Sequence, residues 1–215
     1  MRFAKLWQKL LGVERAVVEQ VVFDEEAGGV VASVRPRKGA TRRCGRCGRR
    51  GVWEDRGEGR RRWRTLDLGA VPVWLEADAP RVRCAEHGVT VVAFPWARHR
   101  ARHTHMFEDQ VAWLAVHCSR SAVEELMRVA WRTVGAIAAR VVADAHAAAD
   151  PLEGLRRIGV DEIAYKKGHR YLIVIVDHDT GRLIWAAPGR DKANLEPVLR
   201  RCGQVPLGPA SRSVR

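Results

Sequence analysis

The chain has 215 residues, of which 47% are apolar and 29% charged, a composition that folds and does not stay disordered. It carries 38 Lys or Arg against 25 Asp or Glu, a formal charge of +13, which favours a polyanionic partner. The clearest apolar run, 171–176, is far short of the roughly 18 residues of a membrane helix, and residues 1–7 lack a signal-peptide core, so neither a membrane span nor secretion is expected.

Residues 3–11 read as a short amphipathic helix that stops at Gly12. The β-rich runs 17–23 and 30–34 flank Asp24-Glu25-Glu26-Ala27-Gly28-Gly29 and predict a hairpin. Between 35 and 64 lie 13 Lys or Arg and three acids, a local +10 that holds most of the net charge. Nearly all of it is Arg, whose planar fork grips phosphate in two places. Arg60, Arg61 and Arg62 are therefore candidate DNA contacts; a solvated basic loop is the competing reading. Short strands are expected at 61–66, 71–76 and 81–84.

From Phe107 the period becomes helical, with Phe107, Val111, Leu114 and Ala115 on one stripe. Ser121-Ala122-Val123-Glu124 reads as a capping box that opens a second helix. A third follows at about 132–142, with Val134, Ile137, Ala138 and Val141 facing inward. The Ala-rich stretch ends at Asp150-Pro151, an expected domain boundary. Strands are then predicted at 158–165, 171–176 and 183–186.

Five cysteines make an odd count that does not suit a disulfide framework; thiolate metal ligands in a reducing cytosol fit better. Cys44-Gly45-Arg46-Cys47 is a C-x2-C knuckle, and Cys84-Ala85-Glu86-His87 adds a C-x2-H pair 36 residues later. Cys44, Cys47, Cys84 and His87 can converge tetrahedrally on structural Zn2+ in a ribbon. An Arg-rich segment with little core would draw its folding energy from that metal. Cys118 is expected to be a small core residue of a helix, and Cys202 to be incidental. His99, His103 and His105 suit a basic linker touching phosphate better than a second metal.

The two short-spaced helices at about 121–129 and 132–142 match a helix-turn-helix, whose second helix enters the major groove of double-stranded DNA. Arg132, Thr133, Ala136 and Arg140 fall on the face away from the apolar stripe and are candidate base or phosphate contacts. An ordinary helical hairpin is the alternative. Asp161 stands within a β run, where a buried carboxylate is costly unless paired or metal-bound; an edge-strand acid facing water is the competing reading.

The order C-x2-C, C-x2-H, helix-turn-helix and then Ile158-Gly159-Val160-Asp161-Glu162-Ile163-Ala164-Tyr165-Lys166-Lys167-Gly168-His169-Arg170-Tyr171 resembles the ISL-three type of bacterial insertion-sequence transposase. So do Val176-Asp177-His178-Asp179-Thr180-Gly181-Arg182-Leu183 and Gly189-Arg190-Asp191-Lys192; the resemblance covers roughly residues 15 to 200. It implies an α+β multidomain chain: an N-terminal helix and hairpin (1–36), a β-rich zinc ribbon (37–97), a helix-turn-helix domain (98–150), the first strands of an RNase H-like α/β catalytic domain (151–200) and an aberrant tail (201–215).

By the same resemblance the ribbon and helix-turn-helix bind terminal inverted repeats for DNA transposition. Asp161 corresponds to the first of an Asp-Asp-Glu set that holds catalytic Mg2+. Asp177 and Asp179 lie in a turn and are expected to be structural. Only 54 residues follow Asp161, so the second Asp and the Glu are expected to be missing and the chain to be a truncated, inactive fragment with exposed strand edges in 152–200. The alternatives are a stand-alone zinc-ribbon and helix-turn-helix DNA-binding protein, or a repressor of the intact transposase through shared sites or mixed oligomers. Self-association, association with an intact transposase, and a bacterial cytoplasmic, nucleoid-associated location are implied; a membrane is not.

Overall fold

The computed structural model describes residues 3–13, 15–148, 150, 152–166, 170–189, 195–196 and 199–200. The chain divides into two units, Met1–Val141 and Val142–Arg215. The expected tail, 201–215, and Cys202 lie outside the described residues. Among these residues no helix is long and apolar enough to cross a membrane. The architecture is mixed α+β.

In the first unit, helix α1 (Phe3–Leu10) leads into the expected hairpin, β1 (Ala16–Asp24) and β2 (Gly29–Pro36). Five further strands follow: β3 (Val52–Asp55), β4 (Arg60–Leu68), β5 (Val71–Asp78), β6 (Arg81–Cys84) and β7 (Gly88–Val91). They sort into two sheets, ordered β1-β2-β5-β4 and β3-β6-β7. The larger sheet joins the hairpin to β4 and β5 through a parallel β2–β5 pairing, so it draws strands from both sides of residue 36.

Strict alternation along β4 and β5 puts Trp63, Thr65, Val73, Leu75 and Ala77 inside and Arg60, Arg62 and Glu76 outside. Trp63, Val73, Leu75 and Ala77 pack with Val18, Ala32, Val34 and Trp96 in one core. Trp63 anchors it, tilted against Phe94 at 4.5 Å and edge-on to Trp96 at 5.7 Å between ring centroids.

Three helices complete this unit and run past it: α2 (His105–His117), α3 (Arg120–Met127) and α4 (Trp131–Ala148). Phe107, Val111, Leu114, Val123, Met127, Val134 and Ile137 form their shared core, which matches the stripes read from the 3.6 period. Helix α2 is tied to β4. The Thr104 hydroxyl caps the helix by accepting from the Phe107 N–H at 3.3 Å and lies 3.1 Å from the Thr65 hydroxyl. The Arg64 N–H donates to the Arg102 carbonyl, and the Thr104 N–H to the Arg64 carbonyl.

Two local expectations are corrected. The cap of α3 is Ser119, whose hydroxyl accepts from the Ala122 N–H; Ser121 lies inside the helix. Glu124, the expected reciprocal partner, instead accepts from the Trp131 N–H at 2.9 Å and so caps α4. Replacing Ser119 with Ala is expected to cost about 1 kcal/mol in a chemical melt. Ser121→Ala should stay within about 0.5 kcal/mol. Equal losses at the two positions would contradict the assignment. Cys118, expected in the core, is exposed, because α2 ends at His117 and Cys118 is its extended C-cap.

The second unit is an antiparallel meander ordered β10-β9-β8, built of β8 (Ile158–Lys166), β9 (Arg170–Asp177) and β10 (Leu183–Pro188). The central strand β9 buries Ile173, Val174 and Ile175 in succession, and Leu152, Leu155 and Ile184 join Ile175 in a small core. Val160 and Ile163 on the outer strand β8 are half exposed.

Candidate metal centre and nucleic-acid interface

The β3-β6-β7 sheet exists to bring two knuckles together. Cys44 bridges to Val92, its N–H donates to the Arg49 carbonyl at 2.8 Å, and Gly48 closes the turn at φ +70. Cys84 ends β6 opposite Gly88, at the tip of the β6–β7 hairpin, and His87 lies within that tip. The 36 residues between the pairs are taken up by β3 and by β4 and β5, which belong to the larger sheet.

The result is one cluster of Cys44, Cys47, Cys84 and His87 whose ligand atoms lie within 4.8 Å of one another; it is the only such group among the described residues. Cys47 Sγ is 3.7 Å from Cys84 Sγ, and His87 Nδ1 is 3.7 Å from Cys84 Sγ and 3.9 Å from Cys44 Sγ. A zinc tetrahedron with arms of about 2.3 Å has edges of about 3.8 Å, so the donor set and its spacing fit the ion. The Arg46 N–H points at Cys44 Sγ from 3.4 Å.

Cys84 is pulled down to about 6 by the His87 side chain and the N–H groups of Glu86 and His87. Its thiolate is thus present at neutral pH, which suits a metal ligand. Cys47 is pushed up: the Arg49 N–H lowers it, but burial and the sulfurs of Cys44 and Cys84 outweigh that donor.

The candidate DNA contacts fare unevenly. Arg132 is exposed at the start of α4, with Thr133 half buried beside it. Arg140 is half buried, with its guanidinium turned toward α2. It bonds the carboxylate of Glu108, a fully buried acid that also takes the Arg98 guanidinium at 3.0 Å. Spacing from the Val134, Ile137 and Val141 stripe predicts Arg140 on the outer face, but the buried acid on α2 draws its guanidinium toward that helix.

On β4, Arg62 is engaged by Glu76 at 2.8 Å and Asp24 at 3.0 Å, and Arg60 by Glu76 at 3.3 Å and the Ser33 hydroxyl at 3.0 Å. Arg61 donates to the Ala101 carbonyl and lies over Trp63. Much of the cluster thus ties the sheet together. His103 stacks on Phe107 at 4.9 Å, and burial pushes its imidazole down.

Asp161 is exposed on the outer strand β8 and accepts from the Glu162 N–H at 2.7 Å. Asp177 is buried and holds the β9–β10 turn, accepting from the Asp179 N–H and the Thr180 hydroxyl, which keep it below the usual carboxylate range. Asp179 takes the Arg157 guanidinium.

Comparison with known proteins places each region. Residues 40–87 match the zinc-finger of transposase IS204/IS1001/IS1096/IS1165, residues 92–142 the helix-turn-helix domain of transposase family ISL3, and residues 158–206 a transposase model of the same family. The transposase for insertion sequence element IS1557 of Mycobacterium tuberculosis, found in two strains, is 62% identical over 200 residues, which is 91% of this chain and 45% of that protein. The transposase for insertion sequence element IS1001 of Bordetella parapertussis is 26% identical over 211 residues, 97% of this chain and 50% of that protein. The chain thus spans about half the length of the curated relatives it matches. No solved structure matches it. With three matched regions in one order and that level of identity, the chain is related to the ISL3 type of insertion-sequence transposase over the regions matched by its zinc-finger, helix-turn-helix and transposase models.

Proposed function

We propose that this chain binds the terminal inverted repeats of an insertion sequence, as the DNA-recognition part of a transposase. One observation carries the reading: α3 and α4 are separated by only three residues, 128–130, inside the matched helix-turn-helix segment, and Arg132 and Thr133 stand exposed or half exposed at the start of the second helix. That end of a recognition helix meets the base edges. The turn is held by Arg128, left-handed at φ 52, which donates to the Ala70 carbonyl and pairs with Asp67 at 3.4 Å. Cys44, Cys47, Cys84 and His87 hold structural Zn2+ in this reading, and the ribbon adds phosphate contacts.

The antiparallel meander is the start of an RNase H-like catalytic fold, with Asp161 as one carboxylate for Mg2+. Bound there, the ion would activate an oxygen nucleophile for phosphodiester transfer.

Arg132→Ala is expected to lose about 1–3 kcal/mol of discrimination between an inverted-repeat duplex and a scrambled one. Arg140→Ala should instead lower the melting point. An equal loss on both duplexes would move Arg132 to the phosphate backbone, and full discrimination in Arg132→Ala would remove α4 from base reading.

A further inference from the structure

A recess of about 210 Å3 opens between the zinc knuckle, β7 and the segment 92–100. It is smaller than the roughly 300–1,000 Å3 of a drug-sized site, so it suits a small group. Arg46, Arg61, Arg81, Arg98, Arg100 and His99 line it, and no carboxylate does. Two of these arginines are already neutralised nearby, Arg81 by Asp55 and Arg98 by Glu108 and Asp109. Arg46 and Arg100 have no carboxylate partner among the described residues, and Arg61 spends one N–H on the Ala101 carbonyl.

His99 Nε2 is buried with no hydrogen-bond partner. The knuckle backbone closes on this ring: a Cβ at Gly45 would stand 2.5 Å from His99 Nδ1 and 2.6 Å from the Val91 carbonyl, so only glycine fits. Arg100 holds a left-handed φ of +61, which L residues rarely adopt. Burial and the neighbouring Arg102 push the Arg61 guanidinium down, an effect that a bound anion would reverse.

We propose that this recess is a phosphate seat, in which Arg46, Arg61, Arg100 and the His99 ring hold one phosphodiester of the DNA backbone beside the zinc cluster. It rests on the DNA-binding reading and adds a contact that positions the duplex without reading its sequence.

The test uses the full zinc-loaded chain and the double variant Arg46→Ala/Arg100→Asn; Asn tolerates the left-handed conformation. Unchanged zinc content and melting curve establish that the variant folds, and Arg46→Ala alone serves if it does not. Affinity for duplex DNA is followed by anisotropy at rising salt. The variant should weaken inverted-repeat and unrelated duplexes by the same factor, roughly tenfold, and lower the slope of log K against log salt by about one. Inorganic phosphate is added separately while the His99 ring is followed by NMR, its signals assigned from His99→Gln. The ring signals should move in the parent and not in the variant.

An unchanged salt slope, or DNA binding with a His99 ring that ignores phosphate, overturns the seat and leaves the DNA reading intact. A ring that responds to phosphate in a chain that binds no duplex overturns the DNA reading, and with it the assignment of the seat to the DNA backbone.

Discussion

Stripping zinc with a chelator, or replacing Cys44 with Ser, is expected to unfold the β3-β6-β7 sheet. Each of its strands is only four residues long. Its buried side chains are few, chiefly Val82, Thr90 and the ligands Cys44 and Cys84, and none belongs to the core of the larger sheet. Val52 and Trp53 on β3 are largely exposed. Two short pairings cannot offset the entropy of ordering this Arg-rich segment. Structural zinc supplies an apparent 10–16 kcal/mol or so in small zinc domains, enough to reverse the balance.

The four-stranded sheet has its own core around Trp63, Leu75 and Val73, so it should survive. The expected result is a loss of part of the β signal in circular dichroism and new tryptic cuts at Arg43, Arg46, Arg49 and Arg50. The later melting of the remaining sheet should be retained. A melting curve and digestion pattern unchanged by chelator would count against the metal assignment.

The second large effect concerns Glu108. Its side chain is wholly buried, and it holds Arg98 and Arg140 together between the segment before α2 and helix α4. A buried ion pair is a weak source of net stability, but breaking one from one side is costly because the remaining charge is stranded. Glu108→Ala strands two guanidiniums, of which Arg98 is 12% exposed and Arg140 35%. A loss of about 3–5 kcal/mol is expected, read as a lower urea midpoint at unchanged m. Arg98 keeps Asp109 as a partial partner at 3.0 Å, which favours the lower end. Glu108→Leu combined with Arg98→Met and Arg140→Met should recover much of the loss, since an apolar triad of similar volume carries no stranded charge. A neutral Glu108→Ala would show that the triad is not held together as described.

The long, strictly alternating strands β4 and β5 and the 3.6-periodic helices could be read from residue order alone, because their patterns are long enough to fix which face is buried. Strands β3 and β7 could not. Four residues give two alternations, and Val52-Trp53 places apolar groups toward solvent. The parallel β2–β5 pairing has no local signal, since its partners, such as Val30 and Val73, lie 43 positions apart.

The knuckle spacing singled out the four side chains that the structure brings into one cluster, because metal geometry restricts close pairs tightly. The engagement of Arg140 was not legible within α4: it follows Ile137 by three positions and borders the apolar stripe, and the acid that draws its guanidinium, Glu108, sits one residue after Phe107 on another helix. Spacing to Glu124 predicts Ser121 as the cap of α3, whereas the extended backbone at Ser119 makes that residue the cap, a conformation that spacing alone does not reveal. The recess at Arg46, Arg61, Arg100 and His99 assembles from three separate segments, so the Arg-rich window 35–64 and the basic stretch around 98–103 each point to phosphate but neither shows that they meet.

The most direct measurement is the binding of this full chain, with zinc and after chelation, to a labelled duplex carrying the inverted repeat of its own element and to a scrambled duplex, across rising salt. The account predicts preference for the inverted repeat, a steep fall in affinity with salt, and loss of that preference on zinc removal. Equal, weak binding to both duplexes that zinc removal leaves unchanged would contradict it.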